Sequence, residues 1–136
     1  MASEPKTRPT DVPVADFIAA VDNPKRRADA QVIHDLLTEV SGETAVMWGP
    51  SIIGYGSYKG PTGDWPLHGF SPRKANLVLY FAPEFPERAA LLAKMGPHKS
   101  SVSCVYVTDL SKIDLDVVRE LAVKSAASTR LKHPAA

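Results

Sequence analysis

Ile52-Ile53-Gly54-Tyr55-Gly56-Ser57-Tyr58, Asp64-Trp65-Pro66-Leu67-His68-Gly69-Phe70 and Asn76-Leu77-Val78-Leu79-Tyr80-Phe81 are the segments on which the fold turns. From residue 42 to residue 81 no apolar spacing of three and four survives. Aromatics, β-branched residues and glycines replace it, the mix that pleated backbone accommodates. The pattern predicts three strands, one for each quoted segment. Lys59-Gly60-Pro61-Thr62-Gly63 and Ser71-Pro72-Arg73 join them, and connections that short make neighbouring strands antiparallel.

Toward the N-terminus, Val14, Phe17, Ile18 and Val21 lie three and four apart and predict a short helix over that span. Asn23-Pro24 opens a second, because Asn23 can accept from backbone N–H groups and Pro24 lacks only a donor that the first turn leaves unused. It runs to about Val40, with Ala28, Val32, Ile33, Leu36, Leu37 and Val40 inward, Lys25, Arg26, Arg27, Asp29, Asp35 and Glu39 toward water, and Gly42 as its stop. Toward the C-terminus, Pro86 starts a third helix that turns Leu91 and Leu92 inward and ends at Gly96-Pro97. Val102–Val107 alternates Val102, Cys104 and Tyr106 with Ser103, Val105 and Val107, and apolar residues on both faces place it inside the sheet. Ser111-Lys112-Ile113-Asp114 has capping-box spacing ahead of a last helix that buries Leu115, Val118, Leu121 and Ala122. The order α-α-β-β-β-α-β-α predicts an α+β fold, an antiparallel sheet of four to five strands with helices packed on one face. Residues 1–12 are expected to be a disordered tail, 13–127 a single domain and 128–136 a polar C-terminal tail.

With 136 residues, 44% apolar and 23% charged, the chain has room for one core. Its single cysteine, Cys104, can neither close an intrachain disulfide nor assemble a zinc site alone. Sixteen Lys and Arg against fifteen Asp and Glu leave none of the basic excess of general nucleic-acid binding. The longest apolar run, Leu77 to Ala82, is far short of the roughly 20 residues of a membrane helix. Glu4, Pro5, Pro9, Asp11 and Pro13 stand where a signal peptide needs an apolar stretch, so a cytoplasmic location is expected.

Several motifs have ordinary structural readings. Gly54-Tyr55-Gly56-Ser57-Tyr58-Lys59-Gly60 has the wrong spacing for a dinucleotide loop, and Pro61 and Gly63 follow where a helix should open, which favours a glycine-bearing strand. Ser71-Pro72-Arg73-Lys74 matches a Ser-x-x-Lys pair in letters, yet Pro72 and the strand after it favour a hairpin turn with two solvated cations. His34, His68, His98 and His133 include no pair at helical metal spacing. Cys104, with valine beside it on an alternating strand, reads as a small buried hydrophobe rather than a nucleophile.

Met47-Trp48-Gly49-Pro50-Ser51-Ile52-Ile53-Gly54-Tyr55-Gly56, Gly69-Phe70-Ser71-Pro72-Arg73-Lys74, Lys99-Ser100-Ser101-Val102-Ser103-Cys104-Val105-Tyr106 and Leu110 through Leu115 occur in that order. Over about Pro13 to Ala127 they resemble the YdhG-like family, a domain of unknown function. The resemblance implies a compact α+β fold of bacterial cytoplasmic proteins, with a frataxin-like iron-chaperone role proposed for some members. Gly96-Pro97-His98-Lys99-Ser100-Ser101 departs from the family's Gly-Lys-His-Lys-Thr-Gly run, having lost a lysine and the second glycine of an anion-cradling loop.

Iron handling would need clustered carboxylates. Asp35 and Glu39, one turn apart, and Asp114 and Asp116 with Glu120 are the weak candidates, no metal or other cofactor being called for by the residues themselves. The stronger candidate is a ligand patch of Trp48, Tyr55, Tyr58, Trp65, Arg73, Lys74, His98, Lys99 and Tyr106, aromatics with polar tips beside cations. Charge is uneven as well, with six basic and nine acidic groups in residues 1–68 against ten and six in residues 69–136. These features predict a small-ligand-binding or regulatory module without catalysis of its own, its partner an unidentified small molecule. The alternatives are iron binding, a structural homodimer through the open sheet face, and an enzyme using Arg73, Lys99 and His98 on a small anion.

Overall fold

The computed structural model describes residues 9–49, 51–60, 63–82, 85–101 and 103–132. Helices α1 (Val14–Ala19) and α2 (Pro24–Ser41) lead into strands β1 (Ala45–Trp48), β2 (Ile52–Tyr55), β3 (Tyr58–Gly60), β4 (Gly63–Trp65), β5 (His68–Pro72) and β6 (Leu77–Tyr80). Helix α3 (Arg88–Met95), strands β7 (Lys99–Ser100) and β8 (Cys104–Val107), a 3-10 turn at Leu110–Lys112 and helix α4 (Leu115–Lys132) complete the fold.

The main sheet has six antiparallel strands in the order β1-β2-β5-β6-β8-β7, and β3 pairs with β4 as a separate hairpin. The α+β class and the antiparallel sheet agree with the sequence reading, while the strand number exceeds it. Two predicted strands break in the middle. At Gly56 φ is +65°, so the chain leaves β2 at an angle that a continuous strand from Ile52 to Tyr58 could not take. The return passes Pro66, which has no N–H for a ladder, and splits Asp64–Phe70 into β4 and β5. Strand β1, absent from the sequence reading, is four residues long, too short to display a period.

Register assigns the two faces. Met47, Ile53, Tyr55, Phe70, Leu77, Leu79, Val105 and Val107 point into one core with Ile33, Leu37, Leu92, Met95, Val118 and Leu121 from the helices. The opposite face carries Trp48, Gly54, Ser71, Val78, Tyr80, Cys104 and Tyr106. The helices contribute to the core on the first face and pack on one another, α3 on α4 and α2 on α4, with α2 also on β5.

Local chemistry explains the helix ends. Asn23 Oδ1 accepts from the N–H groups of Lys25 and Arg26 at 2.9 and 3.1 Å, and the Gly42 N–H donates to the Thr38 carbonyl at 2.9 Å. Asn23→Ala should cost about 1 kcal/mol of unfolding free energy in urea titration, the usual value of an N-cap. On α2 the buried stripe is Ala30, Ile33, Leu36 and Leu37, whereas Ala28 and Val32 are exposed, so the apolar face is rotated from the expected one. Helix α4 is capped by Asp114, which accepts from the Asp116 N–H at 3.0 Å, and Ser111 belongs to the 3-10 turn capped by Asp109. The capping box is therefore not formed.

Both expected tails are shorter than their sequence suggests. The Thr10 N–H donates to the Met47 carbonyl at 2.8 Å and Pro9 bridges Trp48, so this segment covers the edge of β1; residues 1–8 lie outside the described ones. At the other end α4 continues to Lys132 and buries Ser125 and Thr129. Ser125 Oγ accepts from the Ala82 N–H at 2.6 Å, which ties the end of β6 to the helix layer. No helix among the described residues is long and apolar enough to cross a membrane.

Candidate functional site

Trp48 is nearly fully buried although it sits on the face without helices, because the β3–β4 hairpin folds over it. Its ring meets that of Trp65 edge-on, with centroids 6.3 Å apart at 60°. The indole lies directly on β2: a Cβ added to Gly54 would be 2.5 Å from Trp48 Cδ1 and 2.8 Å from Pro66 Cβ. Gly54 thus serves as a strand glycine that admits an aromatic ring, in keeping with the reading that favoured a strand over a phosphate loop.

Beside this aromatic stack, where the last turns of α4 pass the ends of β6 and β8, lies a cavity of about 360 Å³. Tyr58, Trp65, Pro66 and Leu67 form one wall, Tyr80, Ser103 and Cys104 another, and Thr129 and Lys132 close the helix side. The Tyr80 hydroxyl accepts from Arg73 Nη2 at 3.0 Å, and Arg73 Nε lies 3.4 Å from Ser71 Oγ. Burial raises the phenols of Tyr58 and Tyr80 above the usual tyrosine value, the Arg73 cation opposing it at Tyr80. Both rings therefore carry O–H groups, not phenolates, at neutral pH. Cys104 is half-buried and free and lines the cavity, which corrects its assignment as a core hydrophobe.

The nine-residue patch does not hold together as one surface. Tyr55 is fully buried on the helix-facing side, its hydroxyl 2.7 Å from His34 Nδ1, and burial drives its phenol far above the ordinary value. Glycines on both sides of Tyr55 erase the alternation that would have revealed its direction. Tyr58 and Trp65 line the cavity, with Trp48 behind them. Arg73 and Lys74 are exposed at the β5–β6 turn, which the Arg73 N–H closes on the Asn76 carbonyl at 2.9 Å. Lys99 pairs with Tyr106 across β7 and β8, the Tyr106 hydroxyl lies 3.3 Å from Ser101 Oγ, and His98 Nδ1 lies 2.8 Å from the Gly96 carbonyl oxygen. Arg73 thus stands at the β5–β6 turn with its guanidinium on Tyr80, while the chain neighbours His98 and Lys99 stand at the start of β7.

Three of the weak metal candidates, Asp35, Glu39 and Asp114, are engaged elsewhere. Asp35 accepts from Gln31 Nε2 at 2.9 Å, Glu39 pairs with Arg119 on α4 at 2.9 Å, and Asp114 caps that helix. Among the described residues no three His, Cys, Asp or Glu side chains gather as a metal site.

No family model, curated protein or solved structure matches the chain.

Sequence reasoning missed Tyr80, Cys104, Thr129 and Lys132 as cavity residues. Tyr80 could have been found by its alternation with Leu79, but Thr129 and Lys132 lie in a segment whose polarity mimics a tail. It also missed His68, which is 1% exposed on the helix-facing side of β5 with neither ring nitrogen hydrogen-bonded. Burial, with the Arg130 cation adding to it, lowers its pKa from 6.5 to about 4.

Proposed function

We propose that the chain is a small-ligand-binding module whose occupant is a compact aromatic acid seated between the β3–β4 hairpin and the sheet. The observation that carries this reading is the cavity of about 360 Å³ walled by Tyr58, Trp65 and Tyr80. That volume falls at the lower end of small-molecule sites, which suits a single ring better than a nucleotide. Three aromatic side chains offer faces and edges to a planar ligand, and the two phenols supply polar tips for its substituents. The Arg73 guanidinium polarises the Tyr80 hydroxyl from behind, and a hydroxyl made a better donor favours an acid over an amine. The commitment of Arg73 to Tyr80 and of His98 Nδ1 to the Gly96 carbonyl oxygen favours binding over turnover by these groups, and the engagement of Glu39, Asp35 and Asp114 gives iron handling no comparable support.

The chain has two tryptophans, and the ring of Trp65 lines the cavity against that of Trp48, so indole emission reports on its contents. Titration with 4-nitrobenzoate, a quencher of indole emission, should give saturable quenching. Tyr58→Ala should weaken the apparent affinity roughly two- to tenfold, the worth of one aromatic contact. Cys104→Leu should weaken it further by filling the space. Unsaturable quenching, or equal affinity in both variants, would overturn the proposal.

A further inference from the structure

At the opposite ends of β5 and β6 a second cavity, of about 620 Å³, opens between α1, the first turn of α2 and the β5–β6 turn. We infer that it is a binding site for a compact oxyanion, carboxylate or phosphate monoester, attached to an apolar body, with Arg26 as the anchor. This inference is independent of the aromatic cavity.

Arg26 is the unusual residue. Its side chain is only 12% exposed, and Nε and Nη1 are buried without any hydrogen-bond partner. The nearest carboxylate, Asp29, stands 4.0 Å from Nη1, too far for a hydrogen bond, and its Oδ2 is also buried and unpartnered. Arg26 thus lines the cavity as a largely desolvated cation whose ion pair with Asp29 is long, so an oxyanion entering the cavity meets a charge that Asp29 only partly offsets. The start of α2 is not the anchor, because Asn23 already accepts from its N–H groups.

The surroundings fit the same ligand. Phe17, Val21 and Pro72 give the cavity an apolar wall, and Lys74 adds a second, exposed cation at its mouth. Arg73 also borders the space, but its guanidinium is turned to Tyr80 on the other face of the sheet. Asp22 at the rim opposes additional negative charge and so selects a small anionic head over a polyphosphate. Guanidinium to oxyanion hydrogen bonds give direction, and the apolar wall discriminates among bodies.

Isothermal titration of the intact chain with phenyl phosphate, inorganic phosphate and benzyl alcohol tests the site. Phenyl phosphate should bind most tightly, since it alone has both the head and the ring. Arg26→Gln should lower its affinity at least about tenfold, the loss expected for a charge-assisted hydrogen bond. Lys74→Glu, at an exposed turn where folding is not at stake, should lower it at least about fivefold by reversing a charge at the mouth. Running the titration in the Cys104→Leu background as well separates the two cavities, because filling the aromatic one leaves this one untouched. Binding that survives Cys104→Leu and falls with Lys74→Glu supports the inference. No heat with phenyl phosphate in either background, or an affinity unchanged by Lys74→Glu, overturns it and leaves the aromatic site standing.

Discussion

Gly69→Ala should cost about 3 kcal/mol or more of unfolding free energy, a severe loss for a single added methyl group. Gly69 lies in β5, paired with Gly54 on β2 and with Tyr80 on β6, in the middle of the sheet. A Cβ there would stand 2.5 Å from the Ile53 carbonyl oxygen and 3.3 Å from Gly54 Cα, both backbone atoms. No rotamer change relieves such a clash; only parting β2 from β5 does. Overpacking at a yielding site costs about 1–3 kcal/mol, and this site does not yield, so the loss should reach about 3 kcal/mol or more. Against a total stability of roughly 5–15 kcal/mol, that removes a fifth to more than half of the margin and should move the urea midpoint well down. Urea titration followed by circular dichroism measures it, and a midpoint equal to that of the wild type would show that the two strands are not in this close register. Gly54→Ala makes an instructive contrast. Its added methyl meets the Trp48 ring and Pro66 instead of backbone, so the sheet should form while the indole is pushed away and Trp emission changes.

The same contrast explains what was legible in the sequence. Asn23-Pro24 and Gly42 were readable because capping depends on residues within one turn of each other, and the structure uses them as expected. The exit at Gly56 was not, since aromatics and glycines continue across it and only the positive φ reveals that the chain turns away. Ser125 and Thr129 hid the end of α4, because their polarity reads as solvent exposure until Ala82 is seen donating to Ser125. The aromatic cavity draws on the hairpin, the ends of β6 and β8, and the last turns of α4, segments with no common spacing in the chain. Tyr55 illustrates the reverse error, a residue of the right chemistry on the wrong side of the sheet. Periodicity locates faces; it does not bring the ends of distant elements together, and ligand sites form at those ends.

Stability should fall as the solution is acidified through the range from pH 6.5 to about 4, and His68 should be the main cause. Its imidazole is buried on the core side of β5, with ring centroids 5.7 Å from Tyr55 and no acceptor for either nitrogen. Burial disfavours the charged form, and the Arg130 cation disfavours it further, which sets the folded pKa near 4 against 6.5 for an unconstrained histidine. The unfolded chain therefore takes up a proton at this position below pH 6.5, and the folded chain refuses it until about pH 4. Across that window the unfolded state holds more protons, so acid favours it, by about 1.4 kcal/mol per pH unit and roughly 3 kcal/mol in all. Above the window both states are neutral and the term vanishes; below it both are charged and the loss is constant. Asp109, which Ser111 and Lys25 hold at a pKa of about 2 against the usual 3.8, destabilises on acidification only below this range, so the two contributions separate on the pH axis. His68→Leu removes the titrating group and both unpartnered nitrogens at similar volume. Urea unfolding at neutral pH and at about pH 5 should show the wild type losing roughly 2 kcal/mol more than the variant. Parallel losses in the two proteins would mean that His68 is hydrated or hydrogen-bonded in the folded state, and that acid acts elsewhere.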